Sequence, residues 1–201
     1  MPNHRESNEQ PSLGDILKEG ILEGKNPSLT VISDSMSPLL KCGDLVGLQQ
    51  FDRTQLNPGH IVTYTYPHMP LELFTHRVAG ISHIDDKTKL ITWADRTLMF
   101  DFPIEFDDVV GRVIWRKRNG RLLDLDSGRG AWLSDKLSKL ATSELKRITK
   151  LNIDKDHLSV EGIARSDELR RKGKSIYSVR LLRRIIFVWA TLLASIVETM
   201  P

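Results

Sequence analysis

Three kinds of side chain able to act together occur at separated points of this chain. They are the hydroxyls of Ser33-Asp34-Ser35-Met36-Ser37-Pro38, the imidazole of His76, and the carboxylates of Asp95 and Asp101. At neutral pH a serine hydroxyl is almost wholly protonated and attacks poorly. It needs a base within hydrogen-bonding reach and donors for the oxyanion that forms on attack. Ser35 follows the apolar run Leu29-Thr30-Val31-Ile32, so a strand runs into a turn stiffened by Pro38. A hydroxyl at such a corner stands clear of the backbone. His76 sits among the β-formers Leu73-Phe74-Thr75-His76-Arg77-Val78, which would hold its ring rigidly. A histidine base is normally oriented by a carboxylate on its second nitrogen. Asp101, between Phe100 and Phe102, must be either paired or exposed. Each residue alone also has a plainer reading. Serines in turns bond the local backbone, a lone histidine can be structural, and Asp95 suits a turn or cap.

The elements that must position these groups are short strands. After a polar N-terminus, Ser12 can cap a helix from Leu13 to about Glu23, with Leu13, Ile16, Leu17 and Ile21 on one face and Gly24 as its stop. Strands follow over Leu29–Ile32, Asp44–Gln50, His60–Tyr66, Leu73–Ile81, Leu90–Trp93, Val109–Arg116 and Arg121–Leu125. Turns separate them at Asn57-Pro58-Gly59, Asp85-Asp86-Lys87 and the hairpin pair Asn119-Gly120. The pattern predicts a mainly β, antiparallel domain over 27–126, preceded by a tail and short helix over 1–26. Beyond 126, Leu133, Leu137, Leu140, Ala141, Ile148 and Leu151 recur at helical spacing with Ser134 as a cap. This predicts a basic, largely helical extension over 127–201 that ends in an apolar segment.

Taken together, the blocks resemble the signal peptidase I family, in its Ser-His branch. That branch is typified by the catalytic subunit of the endoplasmic-reticulum signal peptidase and by archaeal enzymes. The family pattern runs S-x-S-M-x-P, G-D, G-D-I-V, H-R, T-K-G-D with a second Asp six residues on, and V-x-G-R-V. Here it is matched by Ser33–Pro38, Gly43-Asp44, Gly59-His60-Ile61-Val62, His76-Arg77, Thr92-Trp93-Ala94-Asp95 with Asp101, and Val110-Gly111-Arg112-Val113. The resemblance covers about 29–115. It implies the mainly β peptidase domain shared with LexA-type self-cleaving repressors. It also implies Ser35 as nucleophile, His76 as general base, Asp101 as its acid partner and Asp95 as a second site carboxylate. Ser33 and the Ser35 N–H would form the oxyanion site, and Met36 stands where the family's substrate-binding strand begins. No metal or cofactor is implied. Four positions depart from the pattern: Asp34 stands for a glycine, His60 for an aspartate, and Trp93-Ala94 for Lys-Gly. A charged side chain at 34 is expected to crowd or repel an oxyanion, and Ala94 to be strained if its loop needs positive φ. The membrane-spanning helix that precedes the first block in the family has no counterpart before Ser33.

Composition bears on partners. Cys42, the single cysteine, excludes an internal disulfide and reads as a small buried hydrophobe. Residues 1–111 carry 9 Lys+Arg against 16 Asp+Glu, while 112–201 carry 20 against 10. Basic residues from Arg170 to Arg184 lead into Ile185–Val197, a stretch without charge. This segment suits either an anionic membrane surface, with the catalytic domain on the cytoplasmic side, or burial against the β domain of a soluble cytoplasmic protein. No nucleic-acid-binding motif accompanies the charge. The expected activity is serine endopeptidase cleavage of an extended leader or signal-like peptide. The rivals are a catalytically impaired peptide-binding module and a self-cleaving regulator. The first is favoured by Asp34 and Ala94; the second is disfavoured by the absence of a DNA-binding domain and of a lysine base.

Overall fold

In the computed structural model, residues 11–84, 87–97, 99–151, 188, 189 and 191–195 are described. The seven expected segments become strands, and two short ones join them: β1 (Ser28–Thr30), β2 (Leu45–Gln49), β3 (Ile61–Tyr66), β4 (Met69–Ile84), β5 (Lys87–Ala94), β6 (Met99–Phe100), β7 (Ile104–Glu105), β8 (Val109–Arg118) and β9 (Arg121–Asp124), β6 and β7 being the two not expected. All pair antiparallel in one sheet of order β1-β2-β8-β3-β4-β5-β6, with β7 added on β5 and β9 on β8. The protein is mainly β, flanked by the helices α1 (Leu13–Leu22) and α2 (Gly128–Leu151). Asn119 and Gly120 take φ of 50° and 78°, the mirror-image turn whose twist suits the β8–β9 hairpin. β4 is longer than the pattern suggested because its turn-side end, Met69–Glu72, stays extended and pairs back on Tyr66. The Asp85-Asp86 turn lies outside the described residues.

α1 begins as expected, with a reciprocal capping box between Ser12 and Asp15, and Gly24 follows it at φ +81°. Its buried face differs. Leu13 and Ile16 are exposed, while Gly14 and Ile21 are buried. Gly14 lets the helix come close to Thr65 and Val110, which turns Leu13 and Ile16 outward.

The core continues across the expected boundary at 126. Leu133 and Leu137 of α2 share the largest core cluster with Met36, Leu39, Leu40, Val46 and Leu48. Ala141 joins Ala79, Ile91 and Trp93. Burying each of these leucines contributes about 2 kcal/mol, so α2 belongs to the β domain's core. A Cβ at Gly80 would lie 2.5 Å from the Leu145 side chain, and this bare strand position admits the helix. Ser134 is not the cap, since α2 starts at Gly128 and Ser134 turns its hydroxyl to the sheet.

Two further expectations are corrected. Cys42 is exposed, at the tip of the turn between β1 and β2, where only its backbone amide is engaged, by Asp34. Met36 does not open a substrate-facing strand. It lies within the turn after β1, 2% exposed, and packs under it as core. Toward the C-terminus, Ala194 is buried and Leu193 packs on the main cluster, while Val188, Trp189 and Leu192 are exposed. Among the described residues no helix is long and apolar enough to cross a membrane. The rest of the expectations for 152–201 lie outside the described residues.

Candidate active site

β4 supplies the centre. His76 and Arg77 are consecutive on it, so their side chains leave opposite faces of the sheet. His76 faces the side shared by Val62, its register partner on β3, and by Tyr64 and Val78. Arg77 faces the side on which α2 packs, where its guanidinium meets Ser134.

On the His76 side, residues far apart in sequence converge. The Ser35 hydroxyl lies 3.1 Å from His76 Nε2. On the far side of the ring, Nδ1 lies 2.7 Å from Asp101 Oδ2. A carboxylate only accepts, so Nδ1 carries the proton and Nε2 presents its lone pair to the Ser35 O–H. His76 is 8% exposed, and Ser35 is partly exposed. The pairing is thus shielded at its back and open at the hydroxyl. Each group has a structural cause. Ser35 sits in the turn after β1, above Met36, Leu39 and Leu40, which anchor that turn in the core. The Arg96 N–H donates to the Ser35 carbonyl at 2.8 Å, joining this turn to the loop after β5. Asp101 follows β6, and its N–H donates to the Thr92 carbonyl at 3.1 Å.

Sequence reasoning missed the polar groups behind this relay. Thr92 donates its hydroxyl to Asp101 Oδ2 at 2.8 Å. The Tyr64 hydroxyl lies 3.2 Å from both His76 Nδ1 and Thr92 Oγ1. Tyr64 and Thr92 are both fully buried. Burial, reinforced by the Asp101 charge, drives the Tyr64 phenol far above its ordinary pKa, so it remains a neutral hydrogen-bonding group. The same two causes push Tyr66, behind it, up to about 12. The signal for these residues was faint: a phenol and a hydroxyl inside apolar strands, each of which needs a partner once buried.

The other expected residues divide. Ser33 Oγ is 3.2 Å from Ser35 Oγ and accepts the Ser35 N–H at 3.5 Å, so the two expected oxyanion donors lie together beside the Ser35 hydroxyl, bonded to each other. Asp95 is not on the imidazole. It takes Arg77 Nε at 2.9 Å and Nη2 at 2.7 Å, a buried bidentate pair. Arg77 Nη1 is held by the Gly59 carbonyl at 2.8 Å and the Ser134 hydroxyl at 2.7 Å. Arg77 is therefore fully buried with all three nitrogens engaged, and it ties β4, the loop after β5, the turn before β3 and α2 together.

The departures from the resembled pattern have structural answers. The Asp34 carboxylate is taken up by two neighbours. Its Oδ1 accepts the Cys42 N–H at 3.0 Å, and its Oδ2 pairs with Arg96 Nη1 at 3.1 Å. Ala94 ends β5 paired with Met99, and Asn119 is the single non-glycine residue of positive φ among the described residues. Ala94 therefore needs no glycine. His60 accepts the Asn57 N–H on Nδ1 at 3.2 Å and lines a polar groove of about 440 Å³ with Gln49, Arg112 and Asp126. Among the described residues no three His, Cys, Asp or Glu side chains cluster as metal ligands.

The chain matches no protein-family model, and no curated protein matches it significantly.

Proposed function

We propose that this chain is a serine endopeptidase of the signal-peptidase type that cleaves an extended, leader-like peptide. One observation carries the proposal: Ser35, His76 and Asp101, held in line at 3.1 Å and 2.7 Å by three separate segments. Nothing about the fold's stability requires a partly exposed serine to meet a buried imidazole backed by a carboxylate.

In the proposed reaction His76 Nε2 takes the Ser35 proton as Oγ bonds to the scissile carbonyl carbon. The resulting oxyanion receives the Ser35 N–H and the Ser33 hydroxyl. Asp101 stabilises the imidazolium that forms and keeps the proton on Nδ1. The intermediate collapses, the peptide C–N bond breaks, and the imidazolium returns its proton to the leaving amine. Water, deprotonated by the same Nε2, then attacks the acyl ester, releases the new carboxyl terminus and regenerates Ser35. Ile32, 86% exposed beside Ser33, leaves open backbone along which an extended peptide can lie.

The two features that favoured an impaired peptide-binding relative lose their force here, since Asp34 is neutralised by a local partner and Ala94 is unstrained. A membrane surface is the proposed working place. The exposed Val188, Trp189 and Leu192 follow the basic run 170–184 and would enter an anionic interface.

The test is labelling by a serine-directed acylating probe. A covalent adduct on wild type that is absent from Ser35→Ala and strongly reduced in His76→Ala is the expected result. Equal labelling of all three would sink the assignment.

A further inference from the structure

Asp34 poses an electrostatic problem that the relay does not solve. It lies between the two oxyanion donors in sequence, with Ser33 before it and the Ser35 N–H after it. An oxyanion site works by presenting positive dipoles where negative charge grows. A carboxylate one residue away opposes that growth. The Cys42 amide, chiefly, and then Arg96 hold the Asp34 pKa below the ordinary carboxylate value, so it is ionised at neutral pH. Lys41 adds a weaker attraction.

Arg96 is placed to meet this problem. Its backbone N–H grips the Ser35 carbonyl at 2.8 Å, and its guanidinium stands 3.1 Å from Asp34 Oδ2. One residue thus holds the nucleophile's main chain and the neighbouring charge together. Its place is fixed by the residue before it, Asp95, which is sealed to Arg77. The pair is about half exposed, 51% for Arg96 and 46% for Asp34. Such a pair adds little to stability, so its value lies in local charge. Resting on the peptidase reading above, we propose that Arg96 is a positioning residue for catalysis, the counter-charge that cancels Asp34 while the oxyanion forms beside it.

The experiment is a charge cycle on full-length protein, with turnover of an extended peptide and thermal unfolding measured side by side. Arg96→Gln leaves Asp34 uncompensated and is expected to lower kcat roughly tenfold with KM little changed. Raising the salt to about 1 M screens an exposed charge and should recover most of that loss. Arg96→Lys keeps the charge and should keep most of the rate. The decisive variant is Asp34→Asn/Arg96→Gln, expected within about threefold of wild type because the offending charge is gone. A merely structural clamp would not be rescued by removing its second half. Wild-type kcat in Arg96→Gln, or a double variant no faster than Arg96→Gln, overturns the proposal and leaves the peptidase reading standing. A wild-type protein that folds but neither turns over peptide nor labels at Ser35 overturns both.

Discussion

Two carboxylate pairings begin at neighbouring residues of β4 and end six residues apart, His76 on Asp101 and Arg77 on Asp95. They are built for opposite ends. The Arg77–Asp95 pair is shut: its side chains are 0% and 2% exposed, and the guanidinium has further partners in Gly59 and Ser134. The His76–Asp101 pair is open. Its side chains are 10% and 20% exposed, and one ring nitrogen is left for Ser35. Strand alternation alone sends the first into the seam with α2 and the second to the opposite face, beside Tyr64 and Ser35. A pair with every donor engaged can hold elements together but offers nothing to a substrate. A pair with one nitrogen left over can move a proton.

The sharpest way to break this contrast is to disturb each pair and see what fails. Asp101→Asn keeps the shape but cannot fix the imidazole tautomer. It should cut kcat by about 10³-fold or more while thermal unfolding barely shifts. Arg77→Leu should do the reverse at first sight, unfolding the protein at lower denaturant by about 3–5 kcal/mol, because Asp95 is left buried and charged. Arg77→Leu/Asp95→Leu should recover much of that stability. A double variant as unstable as the single one would show that the pair's value is not electrostatic.

A third pair, Arg112–Asp126, is more open than either, its side chains 18% and 43% exposed, and it flanks the groove that His60 enters. Burial, with help from Arg112 and against Asp126, lowers the His60 pKa from its ordinary 6.5. Protonating Nδ1 would also end its acceptance of the Asn57 N–H. The unfolded chain therefore binds this proton first. Stability is highest above about pH 6.5 and declines as pH falls toward the lower folded value, by under about 1 kcal/mol given the groove's exposure to water. His60→Gln should flatten that part of a urea-denaturation pH profile. An unchanged slope would remove His60 from the account.

Much of this was legible in the sequence, and the reasons are physical. Strand existence followed from alternation and turn chemistry, since Asn119-Gly120 permits few other conformations. Ser35, His76 and Asp101 stood out because each was costly where it sat: a hydroxyl at a corner, and ionisable groups among β-formers and phenylalanines. The resemblance implied Asp101 on His76, but sequence left the partner of Asp95 open. Only the pleat, which turns Arg77 to the face opposite His76, shows that Asp95 serves Arg77. The boundary at 126 misled because composition changes there while the core does not. The polar face of α2 is basic, but Leu133 and Leu137 complete a cluster begun at Met36. Cys42 was misjudged because its residue type favours burial, whereas its turn carries it to the surface.

The grip of Arg77 on Ser134 and Gly59 has a wider consequence. In the proposed reaction a helix that touches no reacting atom becomes a working part, because the same strand that carries the imidazole is bolted to that helix one residue later. The shortest functional stretch of this polypeptide therefore runs well past its final strand. Drift in the surface lysines of α2 is cheap, whereas a change at its sixth or seventh residue reaches the heart of the molecule.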